Sequence, residues 1–176
     1  MKALLRANIK ALKAKMSDKE KQSLSAEIMS RLEQNDHFQK SSTIVLYYAL
    51  NDEVQTTHFI DRWYKQKHIL LPKVKGKELT LHPYTGQGSL SLGAFNIMEP
   101  NTPEYKNYDK IDLVITPAIA FDKDGNRLGR GKGFYDRFFE KLKDYNIYKI
   151  GVIFPCQLVE KVPTEGTDIP VDEIIY

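Results

Sequence analysis

The stretch "IDLVITPAIAFDKDGNRLGRGKGFYDRFFEKLKDY", residues 111–145, decides the fold. Its first part, residues 111–121, is a run of apolar and β-branched residues that is typical of a buried strand. Its last part, residues 135–145, has the apolar spacing of an amphipathic helix. A strand that leads through a turn into a helix is the unit from which α/β proteins are built.

The rest of the chain repeats this alternation of apolar strands and helices. Helices are predicted over residues 2–15, from Ser17 onward, where Glu20 completes a capping-box pattern, and over residues 57–67. Residues 78–84 alternate in polarity as an antiparallel or edge strand does, and residues 85–103 are loop-like. Further strands are predicted over residues 43–50, 68–74 and 148–154, with a short one at the end of the chain. Together they indicate an open, mostly parallel α/β sheet in one domain, residues 1–176.

Composition limits the classes of function. The chain has 26 Lys and Arg against 23 Asp and Glu, whereas a nucleic-acid-binding protein usually has a strong basic field. Its longest apolar runs, such as residues 44–50, are too short to span a bilayer. Cys156 is the single cysteine, which excludes an internal disulfide and favours a reducing compartment. We expect a cytoplasmic protein, with an organelle of a larger cell as the alternative.

The turn between strand and helix carries the chemistry. Gly129, Gly131 and Gly133 alternate there with Arg130 and Lys132, and Arg127 precedes them. Ligands bind outside the carboxyl ends of strands in open α/β sheets, and a helix amino terminus there attracts anions. Glycine lets the backbone approach an anion closely, so the turn is predicted to hold a polyphosphate. It matches neither the Walker A loop nor the dinucleotide fingerprint, and a plain solvated turn is the alternative.

Other polar residues allow two interpretations each. Asp136 follows the turn and is either a Mg²⁺ ligand or an ordinary acid of a first helical turn. Lys2, Arg6 and Lys10 are spaced by four and share one helix face, and spacing alone favours a solvated face for them. Glu53 follows the first strand, where ligand groups collect, or is a surface acid. Tyr48, within that strand, could stack on a planar ligand or be a core aromatic. Asp168 is either part of a second acidic patch or a turn residue.

The segment "GNRLGRGKGFYDRF" (125–138) resembles the signature loop of the 5-formyltetrahydrofolate cyclo-ligase, or methenyltetrahydrofolate synthetase, family. Six more segments resemble the family in the expected order, so the resemblance covers essentially the whole chain. Departures are Thr167, where many members have histidine, and Phe134, where tyrosine is common. The six are "KALLR" (2–6), "YALNDE" (48–53), "LPKV" (71–74), "FNIMEP" (95–100), "DLVITPAIAFD" (112–122) and "VPTEGTDIPVDEII" (162–175).

The resemblance implies a three-layer α/β/α sandwich with a mostly parallel sheet, similar to the sugar-phosphate isomerase/CoA-transferase group. It implies ATP-dependent closure of 5-formyltetrahydrofolate to 5,10-methenyltetrahydrofolate, through a phosphorylated formyl group, with Mg²⁺ as cofactor. The alternatives are a non-catalytic nucleotide- or folate-binding module, an isomerase-like enzyme acting on a sugar phosphate, and an RNA-binding protein. We expect no nucleic-acid or membrane partner and a monomer or weak dimer.

The resemblance also implies a role for individual residues. Arg130 and Lys132 are the expected catalytic residues, and Asp136 and Asp168 the expected Mg²⁺ ligands. The folate is expected to contact Tyr48, Glu53, Phe95 and Tyr135. The expected ATP contacts are Lys2, Arg6, Arg127, Gly129, Arg130, Gly131, Lys132, Gly133 and Tyr135.

Overall fold

The computed structural model describes residues 1–93, 97–166 and 168–176. Its helices are α1 (Lys2–Ala14), α2 (Asp18–Gln34), α3 (Asp36–Lys40), α4 (Thr57–Trp63) and α5 (Phe134–Leu142). Its strands are β1 (Thr43–Val45), β2 (His68–Lys75), β3 (Glu78–Pro83), β4 (Leu90–Leu92), β5 (Met98–Pro100), β6 (Leu113–Pro117), β7 (Ala120–Asp122), β8 (Arg127–Leu128), β9 (Tyr148–Val152), β10 (Leu158–Val159) and β11 (Glu173–Ile175).

The central sheet has six strands in the order β11-β9-β6-β1-β2-β3. All neighbours in it are parallel except β2 and β3, which pair antiparallel at the edge. Ile44 of β1 pairs with Ile69 of β2 on one side and with Leu113 of β6 on the other. The mostly parallel α/β sheet and its antiparallel edge strand are therefore confirmed.

Helices pack on both faces of this sheet because its central strands are apolar on both sides. Ile44 faces a core cluster that includes Leu32 of α2 and Ile60 of α4. Val45 points the other way, into a second cluster that includes Phe138 and Phe139 of α5. The similarity to the sugar-phosphate isomerase/CoA-transferase group stays a prediction.

The strand predicted over residues 111–121 is two strands in different sheets. β6 ends at Pro117, which lacks the N–H that a continued ladder would need. The side-chain amide of Gln157 donates to the carbonyl oxygens of Ala118 and Ile119 at 2.8 and 3.0 Å. β7 then joins β8 and β10 in a separate three-stranded sheet. This break turns the chain toward the glycine-rich turn.

α1 lies against the small sheet. Ile9 is 2% exposed and packs with Ala120 of β7, Leu128 of β8 and Val162. This packing fixes the helix beside the strand that leads into the glycine-rich turn. In the described part of the chain, no helix is long and apolar enough to cross a membrane.

Candidate active site

A cavity of about 360 Å³ opens at the carboxyl ends of β1 and β6. Residues that follow these two strands form one wall, and the glycine-rich turn with the start of α5 forms another. Apolar side chains of β2, β3 and β5 complete it. Its lining consists of Tyr47, Tyr48, Leu50, Glu53, Pro72, Val74, Leu79, Ile97, Met98, Glu99, Pro117, Ala118, Ile119, Arg127, Gly129, Arg130, Lys132, Gly133, Phe134 and Tyr135.

Gly133 is the residue at which the turn becomes a helix. Its φ is +66°, in the left-handed region that glycine tolerates best, and it is the N-cap of α5. The first N–H groups of a helix have no partner within it and carry partial positive charge. Because Gly133, Phe134 and Tyr135 line the cavity, this end of α5 borders the ligand space.

Two arginines that do not line the cavity hydrogen-bond to the glycine-rich turn. Arg6 of α1 donates from Nε to the carbonyl oxygen of Gly129 at 2.8 Å. Arg137 of α5 donates from Nη2 to the carbonyl oxygen of Lys132 at 2.8 Å, and from Nε to that of Lys77 at 2.7 Å. The flexible glycines are thus held at both ends of the turn.

Arg127 is a buried cation at the cavity wall. Its side chain is 6% exposed, and its Nη2 lies 2.7 Å from Oδ1 of Asp136. Its guanidinium lies 5.1 Å from the ring centre of Tyr135, within the range of a cation–π contact. Its Nε is buried and has no hydrogen-bond partner among the described residues. Arg127 therefore keeps a donor that a bound anion could use.

Arg130 bridges the turn and the segment after β1. Its Nη2 lies 2.6 Å from Oδ1 of Asp52 and 3.0 Å from Oε1 of Glu53. Partial burial acts to lower the pKa of Arg130, but its two acidic partners outweigh burial and leave the pKa raised. The expected phosphate ligand Arg130 and the expected folate ligand Glu53 are in direct contact.

Tyr135 lies beside Arg127 and feels the negative charge of Glu53. Burial first, and then the negative charge of Glu53, raise the pKa of its phenol. Tyr135 consequently stays protonated and can donate a hydrogen bond. Tyr48 lines the same cavity, half-buried. Phe95 lies outside the described residues.

Asp136 and Asp168, the expected Mg²⁺ ligands, are each paired with a cation. Asp136 binds Arg127 at 2.7 Å, whereas Oδ2 of Asp168 lies 3.3 Å from Nζ of Lys2. Within residues 1–93, 97–166 and 168–176, no group of three or more His, Cys, Asp or Glu could hold a metal ion. Mg²⁺ that arrives with a nucleotide needs only one or two carboxylates besides phosphates and water, so Asp136 and Asp168 stay predicted ligands.

The family model described as the 5-formyltetrahydrofolate cyclo-ligase family matches residues 1–176. The chain belongs to this family. It is 32% identical to the 5-formyltetrahydrofolate cyclo-ligase of Haemophilus influenzae, over 97% of this chain and 91% of the relative. The cyclo-ligase of Mus musculus is 28% identical, over 98% of this chain and 91% of its own length.

Two solved structures of 5,10-methenyltetrahydrofolate synthetases resemble the fold. That of Aquifex aeolicus superposes with a TM-score of 0.86 at 36% identity, covering 99% of this chain and 88% of its own. That of Mycoplasma pneumoniae has a TM-score of 0.80 at 27% identity, covering 99% and 97%. The family and the fold agree with the resemblance seen in the sequence.

The structure of this cyclo-ligase family member brings together most of the expected site residues. Tyr48, Glu53, Arg127, Gly129, Arg130, Lys132, Gly133 and Tyr135 all line the cavity. Among the described residues, Lys2, Arg6, Gly131, Asp136 and Asp168 are outside this lining. Arg6 and Asp136 nevertheless contact residues that belong to it, Gly129 and Arg127. Lys2 instead binds the tail, at Glu165 and Asp168.

Sequence reasoning missed Lys13 and Asp52. Lys13 is buried and its Nζ lies 2.8 Å from Oδ2 of Asp52. Lys13 follows Lys2 by 11 residues, about three helical turns, so the two share a face of α1. This helical spacing was the sequence signal from which Lys13 could have been predicted to lie on the same face as Lys2.

Proposed function

We propose that the chain catalyses the ATP-dependent cyclisation of 5-formyltetrahydrofolate to 5,10-methenyltetrahydrofolate, releasing ADP and phosphate. One observation carries the proposal: Arg130 of the glycine-rich turn contacts Glu53, and both line one cavity. Transfer of a phosphoryl group from ATP to the formyl oxygen requires both substrates in one cleft. The family membership supports the same reaction.

The reaction overcomes the poor electrophilicity of the formyl amide. The formyl oxygen attacks the γ-phosphorus of ATP, and the bond from that phosphorus to the bridging oxygen breaks, so ADP leaves. The neighbouring amine of the folate then attacks the carbon of the iminium phosphate. The carbon–oxygen bond breaks, phosphate leaves with the former formyl oxygen, the amine loses its proton and the ring is closed.

Phosphoryl transfer asks a protein for alignment and charge stabilisation. Arg130 and Lys132 are the catalytic residues of the proposal, because they line the cavity at the glycine-rich turn. With the backbone N–H groups at Gly129, Gly131 and Gly133, they offset the charge that develops on the transferring phosphate. Arg127 offers its unpaired Nε from the wall. Arg6 and Lys2 extend the ATP site from α1.

The folate occupies the rest of the cavity in this proposal. Glu53 is 10% exposed and, in this proposal, exchanges its contact with Arg130 for hydrogen bonds from pterin donors. Tyr48 and the protonated Tyr135 contact the ring system, and Phe95 is a further ring neighbour. Leu79 and Phe134 supply apolar walls.

Asp136 and Asp168 would hold Mg²⁺, whose chemistry is to neutralise phosphate charge. Residues 1–176 act as a single cyclo-ligase domain, as a monomer or weak dimer. Its partners are the two small-molecule substrates, without nucleic acid or membrane, and its compartment is the cytoplasm.

The purified protein should turn over in 5-formyltetrahydrofolate and MgATP, measured as near-ultraviolet absorbance of the methenyl product. Lys132→Ala should lower kcat about 100-fold, because a transition-state contact of this kind contributes that much. Lys106→Ala removes an exposed lysine and is the matched control. A non-catalytic binding module would bind ATP without releasing ADP. That result would contradict the proposed function. Full turnover by Lys132→Ala would contradict the proposed role of Lys132.

A further inference from the structure

Lys13 sits in the last turn of α1 with its charge buried. Its side chain is 6% exposed, and its Nζ donates to two acceptors of Asp52. These are the main-chain oxygen at 2.7 Å and Oδ2 at 2.8 Å. The other carboxylate oxygen of Asp52, Oδ1, accepts from Arg130 at 2.6 Å. Lys13, Asp52 and Arg130 thus form a continuous chain of charges from α1 to the glycine-rich turn.

A buried ammonium is stable only when it is paired and hydrogen-bonded. Asp52 provides Lys13 with both an opposite charge and hydrogen-bond acceptors. Because these acceptors belong to the main chain and the side chain of Asp52, Lys13 fixes both. Burial acts to raise the pKa of Asp52, but the hydrogen bonds from Lys13 and Arg130 outweigh it and leave the pKa lowered. Asp52 consequently remains an anion that can hold Arg130 near neutral pH.

The same nitrogen of Arg130, Nη2, donates hydrogen bonds to both Asp52 and Glu53. These two partners differ in how they are held. Asp52 is anchored by Lys13, whereas Glu53 accepts a hydrogen bond from the backbone N–H of Leu50 at 3.0 Å. In the proposed function Glu53 exchanges Arg130 for the pterin, so after folate binding Asp52 is the carboxylate that still holds Arg130 at the turn.

We propose that Lys13 and Asp52 are positioning residues that hold Arg130 at the phosphate end of the cavity. The inference rests on the proposed function, since it assumes that Arg130 meets the phosphates of ATP. Neither Lys13 nor Asp52 touches the reacting atoms. They act by presenting Arg130 in one orientation before the nucleotide arrives, which reduces the entropy lost on binding.

The test is a double-mutant cycle on the affinity for a non-hydrolysable ATP analogue with magnesium, measured by calorimetry. Lys13→Met keeps most of the side-chain volume and removes the charge. It should weaken binding about tenfold in the native background and less than about twofold in an Arg130→Ala background. Lys10→Met removes an exposed charge from the same helix and should leave the affinity unchanged in both backgrounds.

An equal loss of affinity in both backgrounds would show a purely structural role for Lys13 and overturn the inference, as would no loss in either. If Lys13→Met does not fold, Asp52→Asn takes its place, because it keeps the side-chain size and the main-chain oxygen that accepts from Lys13 at 2.7 Å. Turnover of the native protein is measured alongside. A native protein that cyclises folate but fails the cycle overturns the positioning role alone. One that binds no ATP analogue overturns the proposed function and the positioning role together.

Discussion

Asp122 is the residue that holds the start of the glycine-rich region. It is 1% exposed, and its carboxylate accepts four hydrogen bonds. Two come from the backbone N–H groups of Asp124 and Asn126, one from the side-chain amide of Asn126, and one from the backbone N–H of Val162. Burial acts to raise the pKa of Asp122, but these donors outweigh it and leave the pKa lowered. The ionised form is therefore the one that the fold selects.

Asp122→Asn should lower the free energy of unfolding by about 3 kcal/mol at neutral pH, because the amide turns its NH₂ toward donors. A lowered pKa stabilises the fold above the ordinary pKa of aspartate, about 4, and the stabilisation is lost as pH falls through the folded-state value. The difference in unfolding free energy between the native protein and the variant, called the gap below, should therefore shrink in acid. Urea unfolding at several pH values measures it, with exposed Asp124→Asn as the control. A gap that stays constant down to pH values well below 4 would contradict this role.

Single residues also show how far the sequence predicted the site. Arg127 to Asp136 are contiguous, so their common location could be predicted from the turn alone. Lys13 could not be found in this way, because its partner Asp52 is 39 residues away. Spacing by four grouped Lys10 with Lys2 and Arg6, whereas Lys10 is exposed and Lys13 is the residue that faces the site. The 3.6-residue period of the helix accounts for the difference.

At the scale of elements, α1, α2, α4 and α5 were predicted from local signals, whereas the short α3 was missed. The capping box at Ser17 and Glu20 is present, with the backbone N–H of Ser17 donating to Glu20 at 2.7 Å. The strand predicted over residues 43–50 ends at Val45, and Tyr47, Tyr48 and Leu50 beyond it line the cavity. β4 and β5 were missed within the loop-like residues 85–103. Residues 89–92 alternate as Ser-Leu-Ser-Leu, but β4 is only three residues long and lies between Gly88 and Gly93, which are typical of loops.

The start of α5 is the element on which the proposed phosphate site depends. Gly133 has a left-handed φ of +66°, and a Cβ there would lie 2.7 Å from Nη1 of Arg137. Gly133→Ala should cost about 1–2 kcal/mol of unfolding free energy for the backbone conformation. Arg137 would also have to move, which disturbs its hydrogen bond to the carbonyl oxygen of Lys132. The KM for ATP should consequently rise by more than the KM for the folate.

Steady-state kinetics and urea unfolding of Gly133→Ala measure the two effects. Gly88→Ala is the matched control, because Gly88 has an ordinary φ and no atom within 4 Å of its added Cβ. If Gly133→Ala kept a native KM for ATP despite lower stability, the helix start would not take part in nucleotide binding.

At the scale of the whole molecule, the cavity is assembled from distant parts of one chain. Its wall runs from Tyr47 to Tyr135, through three strands of the central sheet and the turn. The two ends of the chain are also joined: Lys2 of α1 contacts Glu165 and Asp168 at 2.9 and 3.3 Å, and Arg31 of α2 donates to the main-chain oxygen of Tyr176. A ligand in this cavity therefore stabilises elements from both halves of the chain.

Ligand binding should accordingly raise the melting temperature of the whole protein in a single transition. A ligand at about 100 times its dissociation constant adds about 2.7 kcal/mol to the free energy of unfolding. For a chain of this size, that raises Tm by about 5–10 °C. The shift should appear with an MgATP analogue and with 5-formyltetrahydrofolate separately. It should be larger with both, since the proposed function places each ligand in a different part of the cavity.

Differential scanning calorimetry with each ligand alone, with both, and with single-stranded RNA as the control measures this shift. The near-balanced charge of the chain predicts no shift with RNA. A combined shift larger than the sum of the two would indicate that the folate frees Arg130 for phosphate, because the same guanidinium contacts Glu53 without ligand. Two separate melting transitions, or a shift with RNA alone, would contradict a single cooperative domain built around one two-substrate cavity.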